Sequence, residues 1–344
     1  MRWPSSSAGW VIALALALNL GALPASPALA LSDLASFQPP GRMVLVEGRQ
    51  VHIDCTGEGE PTVLLEEGRG GASLDWAWVQ RDVTKASRVC SYDRPGYGWS
   101  EPAEAPMDAS NTSQQLHELL QAAHEKGPYL LVGHSLGGAY MRMFAAEHRE
   151  DVAGLVLVDA TNPSHLKTNA EVGLPPIDGP KGTLLADVLT SSEVLWRAAS
   201  WLGIVKTSFG NQWKELPADV VPEMSTFIAG RQHLRTFLEE TSSLSDTLAQ
   251  IASLGSLGRL PVTVICADKW IDADATIAIK RAEWNKRQQR NWLAISTDSH
   301  FLIVPGADHM SLLLVAEHAD AVARAIVNMV VAIRGSSVSH PIAQ

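Results

Sequence analysis

The chain is 344 residues long, with 46% apolar and 19% charged side chains and a formal net charge of -10. That length and apolar content suit one large domain, or one domain carrying an insertion, with a sizeable core. The acidic balance excludes a phosphate-neutralising surface, so no nucleic-acid partner is expected. The sequence shows no internal repeat, like-charge run or low-complexity tract.

Residues 1–30 read as a secretory signal peptide, with Arg2 followed by an apolar run from Trp10 to Leu20. Ala28 and Ala30 stand at the minus-three and minus-one places of a cut after Ala30. The run is shorter than the ~20 residues of a membrane-spanning helix, and an uncleaved anchor is the alternative. The layout predicts a secreted or periplasmic protein with no stable membrane span after cleavage. No cysteine at the cut indicates lipid attachment.

The mature chain opens with three short strands, over 43–46, 50–55 and 62–66, separated by Gly-bearing turns. Residues 73–87 carry Leu74, Trp78 and Val79 at helical spacing behind a Ser73 cap. A strand over 87–93, a helix over 108–127 with Leu116, Leu119, Leu120 and Ala123 on one face, a strand over 129–133, a helix over 137–150 and a strand over 152–160 follow. Strands that are apolar throughout and alternate with helices predict a mostly parallel sheet covered on both faces. The alternation breaks over 161–258, which holds Pro175, Pro176, Pro180, Trp196, Trp201 and Trp213 and shows helical spacing, as in "ADVLTSSEVLWRAASWLGIV". A helical insertion is expected there. The pattern resumes over 259–334, with strands over 260–268 and 300–306, a helix over 274–295 and one continuous helix over 312–333. Residues 335–344 are expected to be a disordered tail.

"YLLVGHSLGGAYMRMF" places Ser135 in a G-x-S-x-G pattern where an apolar strand gives way to a helix. A serine hydroxyl needs a base within hydrogen-bond reach and an orienting partner for that base. A strand-to-helix elbow lifts the hydroxyl clear of the backbone and turns the first helical N–H groups toward a developing oxyanion. Of eleven histidines, His117, His124 and His148 fall on helices and His52 and His300 in strands, while His134 flanks the serine but is expected to point elsewhere. His309 lies in a Gly-bearing loop after the last strand. Loops at the carboxyl ends of parallel strands share one edge of the sheet, so Ser135 and His309 are expected to meet.

The stretches "LLEEGRGGASLDW", "YDRPGYGWSEP", "GHSLGGAY", "LVLVDAT" and "VPGADHM" resemble, in order, the α/β-hydrolase family. The resemblance covers nearly all of Val44 to Ile333 outside the insertion. It implies an eight-stranded α/β fold, Ser135 as nucleophile, His309 as base, and the insertion as the family's variable lid after the sixth strand. It implies oxyanion donors at the backbone N–H of Leu136 and of Arg69, with Glu67 standing where many relatives carry histidine. It leaves two candidates for the orienting acid, Asp159 after the sixth strand, which is preferred, and Asp268 after the seventh, where Trp270 stands near the usual place and Asp272 and Asp274 come late. Asp93 and Arg94 are read as structural turn residues. In the family's strand order the second and fourth strands are neighbours, which with export implies a Cys55–Cys90 disulfide; Cys266 is expected to be an inert buried thiol.

The signal layout and the resemblance together imply an exported serine hydrolase cleaving carboxylic esters, with no cofactor and no metal. Its partner would be a small ester with an apolar acyl group, if the insertion's tryptophans line the site rather than fill its core. Amide, lactone, carbon–carbon and perhydrolase chemistry on the same fold, and a non-catalytic binding protein, are the alternatives. Serine at 135 argues against dehalogenase or epoxide hydrolase, whose relatives carry Asp there.

Overall fold

The computed structural model describes residues 37–165, 169–173 and 212–338. Eight strands form one sheet in the order β1-β2-β4-β3-β5-β6-β7-β8. They are β1 (Arg42–Val46), β2 (Arg49–Thr56), β3 (Thr62–Glu66), β4 (Val89–Tyr92), β5 (Tyr129–His134), β6 (Val152–Val158), β7 (Val262–Ala267) and β8 (Ser299–Val304). β2 pairs antiparallel with β1 and β4, and every other pairing is parallel. β3 and β5 are buried at every position, as strands covered on both faces must be.

Two apolar clusters cover the sheet. On one side α2 (Ala109–Ala122) and α3 (Leu136–Glu147) pack with Leu131, Leu155 and Val264; on the other α1 (Ala77–Val83) and the last helix pack with Val63, Val132 and Ile265. Alternate residues of one strand thus feed opposite clusters, the period-two rule of a pleated strand. α1 is preceded by a 3-10 turn at Ser73–Trp76. Cys55 and Cys90 face each other in the β2–β4 register and form a disulfide. Cys266 is a free, buried thiol, pushed up by that burial.

Between β6 and β7 the described residues form helices, chiefly α4 (Val221–Ile228), α5 (Arg231–Ser242) and α6 (Leu244–Ala252). The rest of the expected insertion, including Trp196 and Trp201, lies outside the described residues, as do residues 1–30. α7 (Ala275–Asn291) precedes β8, capped by Asp274, whose carboxylate accepts the Thr276 and Ile277 N–H groups.

Two expectations near the carboxy terminus need correction. The expected single helix is broken into α8 (Ser311–Leu314) and α9 (Ala316–Val338) by extended backbone at Val315. α9 then continues through Val338, so the first residues of the expected tail are helical. Ser336 bonds back to the Ala332 carbonyl, a local bond that lets a serine stay within a helix. Residues 339–344 lie outside the described residues.

Candidate active site

Ser135 closes β5 and caps α3 with φ 52° and ψ -121°. A positive φ is costly for a serine and persists only where the surroundings fix it. Here the Ser135 N–H donates to the Val158 carbonyl at 3.0 Å, and the Ser135 carbonyl accepts from Gly138 at 3.1 Å and Thr161 at 2.8 Å. The glycines are demanded by close approach. A Cβ at Gly137 would collide with the Glu66 and Glu67 carbonyls, and one at Gly68 would sit 3.0 Å from the Ser135 Cβ.

His309 lies in the loop after β8. Its Nδ1 is 2.7 Å from Asp159 Oδ2, and its side chain is 37% exposed against 2% for Asp159. The Nε2 of His309 and the Oγ of Ser135 have no hydrogen-bond partner among the described residues. Asp159 ends β6 with φ 44°, a conformation aspartate tolerates better than most residues. Its Oδ1 accepts from the Ala267 N–H at 3.0 Å and the Asn285 amide at 2.8 Å. Burial pushes the Asp159 carboxyl up. The bond and charge of His309, with the Ala267 and Asn285 donors, outweigh burial and hold it below its ordinary value.

The second acid candidate is elsewhere. Asp268 pairs with Lys286 at 3.1 Å and accepts the Gly306 N–H at 3.1 Å. Of the two carboxylates only Asp159 reaches His309, because the sharp turn after β6 swings it toward the β8 loop.

Ser135, Leu136, Asp159 and His309 line one cavity of ≈ 270 Å³ together with Arg69, Thr161, His165, Leu244, Trp270, Trp284 and Asn285. The N–H groups of Leu136 and Arg69 have no partner among the described residues. One is a first-turn helix donor, which has no intrahelical acceptor; the other belongs to the loop after β3. Trp270 and Trp284 meet edge to face at 6.3 Å, and His165 stacks on Trp284 at 4.9 Å. Burial pulls His165 down to about 4, so at neutral pH it adds no charge to this wall.

Several supporting residues escaped the sequence reading. His134 is not idle: its Nε2 is 3.0 Å from the His309 carbonyl, and burial, with His309 beside it, pulls it down to about 3, so it is a neutral donor. On α7, Gln289 donates to the Ala160 carbonyl at 2.8 Å, next to the Asn285 bond to Asp159. The missed signal was three amides, Asn285, Gln288 and Gln289, at helical spacing on one buried face.

Residues 63–325 match the family model described as "Alpha/beta hydrolase family". The chain belongs to the α/β hydrolase family. This α/β hydrolase is 32% identical over 166 residues to an uncharacterized protein of Schizosaccharomyces pombe, covering 40% of this chain and 31% of that protein. The matched region spans less than half the length of each curated relative compared. Among solved structures, the Cif epoxide hydrolase from Acinetobacter nosocomialis superimposes with a TM-score of 0.64 at 16% identity, covering 90% of this chain and 98% of that one. The enol-lactonase from Burkholderia xenovorans LB400 superimposes with a TM-score of 0.56 at 17% identity, covering 84% and 99%. At such identities the likeness is one of fold, and function has to be argued from the site.

Proposed function

We propose that this α/β hydrolase is a serine hydrolase that cleaves carboxylic esters through an acyl-enzyme on Ser135. The observation that carries this is the Asp159–His309 bond of 2.7 Å beside a cavity that His309 shares with Ser135. His309 Nε2 takes the Ser135 proton as Oγ attacks the acyl carbon. The oxyanion forms against the Leu136 and Arg69 N–H groups, each worth roughly 3–4 kcal/mol where such donors have been removed. Collapse expels the alcohol, which receives the proton from His309. His309 then deprotonates a water that attacks the acyl carbon, and the carboxylic acid leaves with Ser135 restored. Asp159 holds the imidazole in the tautomer that keeps Nε2 free. No step draws on a cofactor or a metal.

Leu244, Trp270 and Trp284 support an apolar acyl group as the preferred substrate part. Export belongs to the same proposal. The signal-like residues 1–30 support it, and so does the Cys55–Cys90 disulfide, a bond that persists in oxidising compartments.

The test is labelling by a fluorophosphonate probe, followed by turnover of a panel of p-nitrophenyl esters, lactones and amides. Wild type should label and Ser135→Ala should not, with esters turned over fastest. Folded wild type that does not label would overturn the proposal, and preferential turnover of amides or lactones would correct the substrate class.

A further inference from the structure

The loop Glu67–Gly70 carries the Arg69 N–H, and no sheet ladder holds it. Apart from a local bond from the Gly71 N–H to the Gly68 carbonyl at 3.1 Å, its bonds run to one buried cluster. Arg94 Nη1 donates to the Glu67 carbonyl at 2.9 Å, and Arg94 Nη2 donates to the Gly68 carbonyl at 2.8 Å. The Gly70 N–H donates to Glu240 Oε2 at 3.0 Å. Glu240 in turn pairs with Arg94 Nη2 at 3.0 Å, and both side chains are fully buried. Tyr97 donates to Glu240 Oε2 at 2.6 Å and Tyr140 to Oε1 at 3.0 Å. Glu66 and Glu67 also contact Arg94. Burial pushes both their carboxyls up, Glu67 furthest, and one Glu67 oxygen has no partner among the described residues. Glu240 thus joins the Gly70 N–H, Arg94, Tyr97 and Tyr140 in one buried cluster.

Glu240 comes from α5, between β6 and β7, 170 residues along the chain from the loop it grips. The same helix face supplies Thr236, which donates to the Gly96 carbonyl at 3.2 Å, and Phe237, whose ring lies 5.1 Å from the Arg69 guanidinium carbon. Positions 236, 237 and 240 share one face of a helix, so α5 is docked along both the β3 and β4 loops.

We infer that Glu240 is a positioning residue for the oxyanion hole: by fixing the Gly70 N–H directly and the Glu67 and Gly68 carbonyls through Arg94, it holds the Arg69 N–H at the cavity wall. This rests on the serine-hydrolase reading above. A hole is effective only when its donors stand in place before charge develops. A loop with three backbone groups held by charged partners meets that demand.

The test compares full-length wild type, Glu240→Gln and Glu239→Gln, the last altering an exposed carboxylate that pairs with Arg235 on the same helix. With p-nitrophenyl butyrate, Glu240→Gln should lower kcat roughly 10- to 100-fold and move KM less than about 3-fold, because donors aimed at the oxyanion act on the transition state. The inhibition constant of phenylboronic acid, whose serine adduct places an oxygen in the hole, should rise in the same ratio. Glu239→Gln should match wild type in all three. Folded Glu240→Gln with wild-type kcat and boronate affinity, or with a change in KM alone, would overturn the inference. Should Glu240→Gln fail to fold, amide exchange on wild type decides: the Gly70 amide should be as protected as those of α5, and exchange at free-loop rates would overturn it. Wild type that neither labels with fluorophosphonate nor turns over ester sinks the serine-hydrolase reading itself, an outcome distinct from an active enzyme indifferent to Glu240.

Discussion

Two Asp–His pairs in this molecule have nearly the same length, and they end differently. His52 Nδ1 lies 2.8 Å from Asp93, with both side chains fully buried and His52 Nε2 held 2.7 Å from the Pro40 carbonyl. His309 Nδ1 lies 2.7 Å from Asp159, its partly exposed ring lines the cavity of Ser135, and its Nε2 has no partner among the described residues. In the first pair every ring nitrogen donates, so the imidazolium is the form that fits. Burial pulls His52 down, but the charge and bond of Asp93, helped by Pro40, outweigh it and raise it above its ordinary 6.5. The pair alone is therefore no mark of chemistry. What separates a structural pair from the pair proposed to transfer a proton is the second nitrogen, satisfied in one and without a described partner in the other.

Exchanging the same atom in both pairs breaks the comparison most sharply. Asp159→Asn should lower kcat by roughly 10⁴-fold, about 5 kcal/mol in barrier height, while leaving the melting temperature within a few degrees. Steady-state kinetics with a p-nitrophenyl ester and a thermal melt read both. If the melt fell and the rate held, the roles given to the two pairs would be reversed.

Asp93→Asn should do the opposite. Breaking a buried pair costs about 3–5 kcal/mol of stability, while the folded protein's turnover should stay within about 3-fold of wild type. The loss should depend on pH. Burial raises Asp93, but His52 and the Ser73 and Trp99 N–H groups outweigh it and hold the carboxyl below its ordinary 3.8. The pair's contribution is therefore fullest between 3.8 and 6.5, the ordinary values of its two groups. It fades as pH rises through the raised value of His52 or falls through the lowered value of Asp93. The gap between wild type and variant in urea melts should be widest inside that window and narrow on either side of it.

Two smaller effects refine the picture. Asn285→Ala removes one donor from Asp159 and should lower kcat roughly 10-fold, the scale of one hydrogen bond to a charged group. Asp268→Asn, which breaks a partly exposed contact to Lys286, should change turnover by less than about 2-fold and stability by less than about 1 kcal/mol.

The sheet was legible because its strands are short apolar runs between Gly, Pro and charged turns, and the elbow because a serine interrupts such a run. Asp159 and Asp268 could not be separated in the same way. Both follow an apolar strand at the same sheet edge, and the deciding quantity, the left-handed turn at Asp159, leaves no trace in composition. Asn285 and Glu240 were invisible for another reason. Each acts across the fold, 126 and 170 residues from its partner, and on its own helix reads as one more polar residue. Arg94 was rightly placed in a turn, but that its guanidinium grips the loop beside Ser135 required the packing of β3 against β4.

The strand order also divides the groups of the proposed reaction, with the residue proposed to position its oxyanion loop, along the chain. Ser135 and Asp159 end the neighbouring strands β5 and β6, whereas His309 and Glu240 lie beyond the first half, and the two halves join where Leu155–Val158 pair with Val262–Ile265. A chain cut between β6 and α5 would leave neither fragment with a complete set. Under the proposed function, ester turnover would then report reassembly of the sheet, and the fold could serve as a complementation sensor.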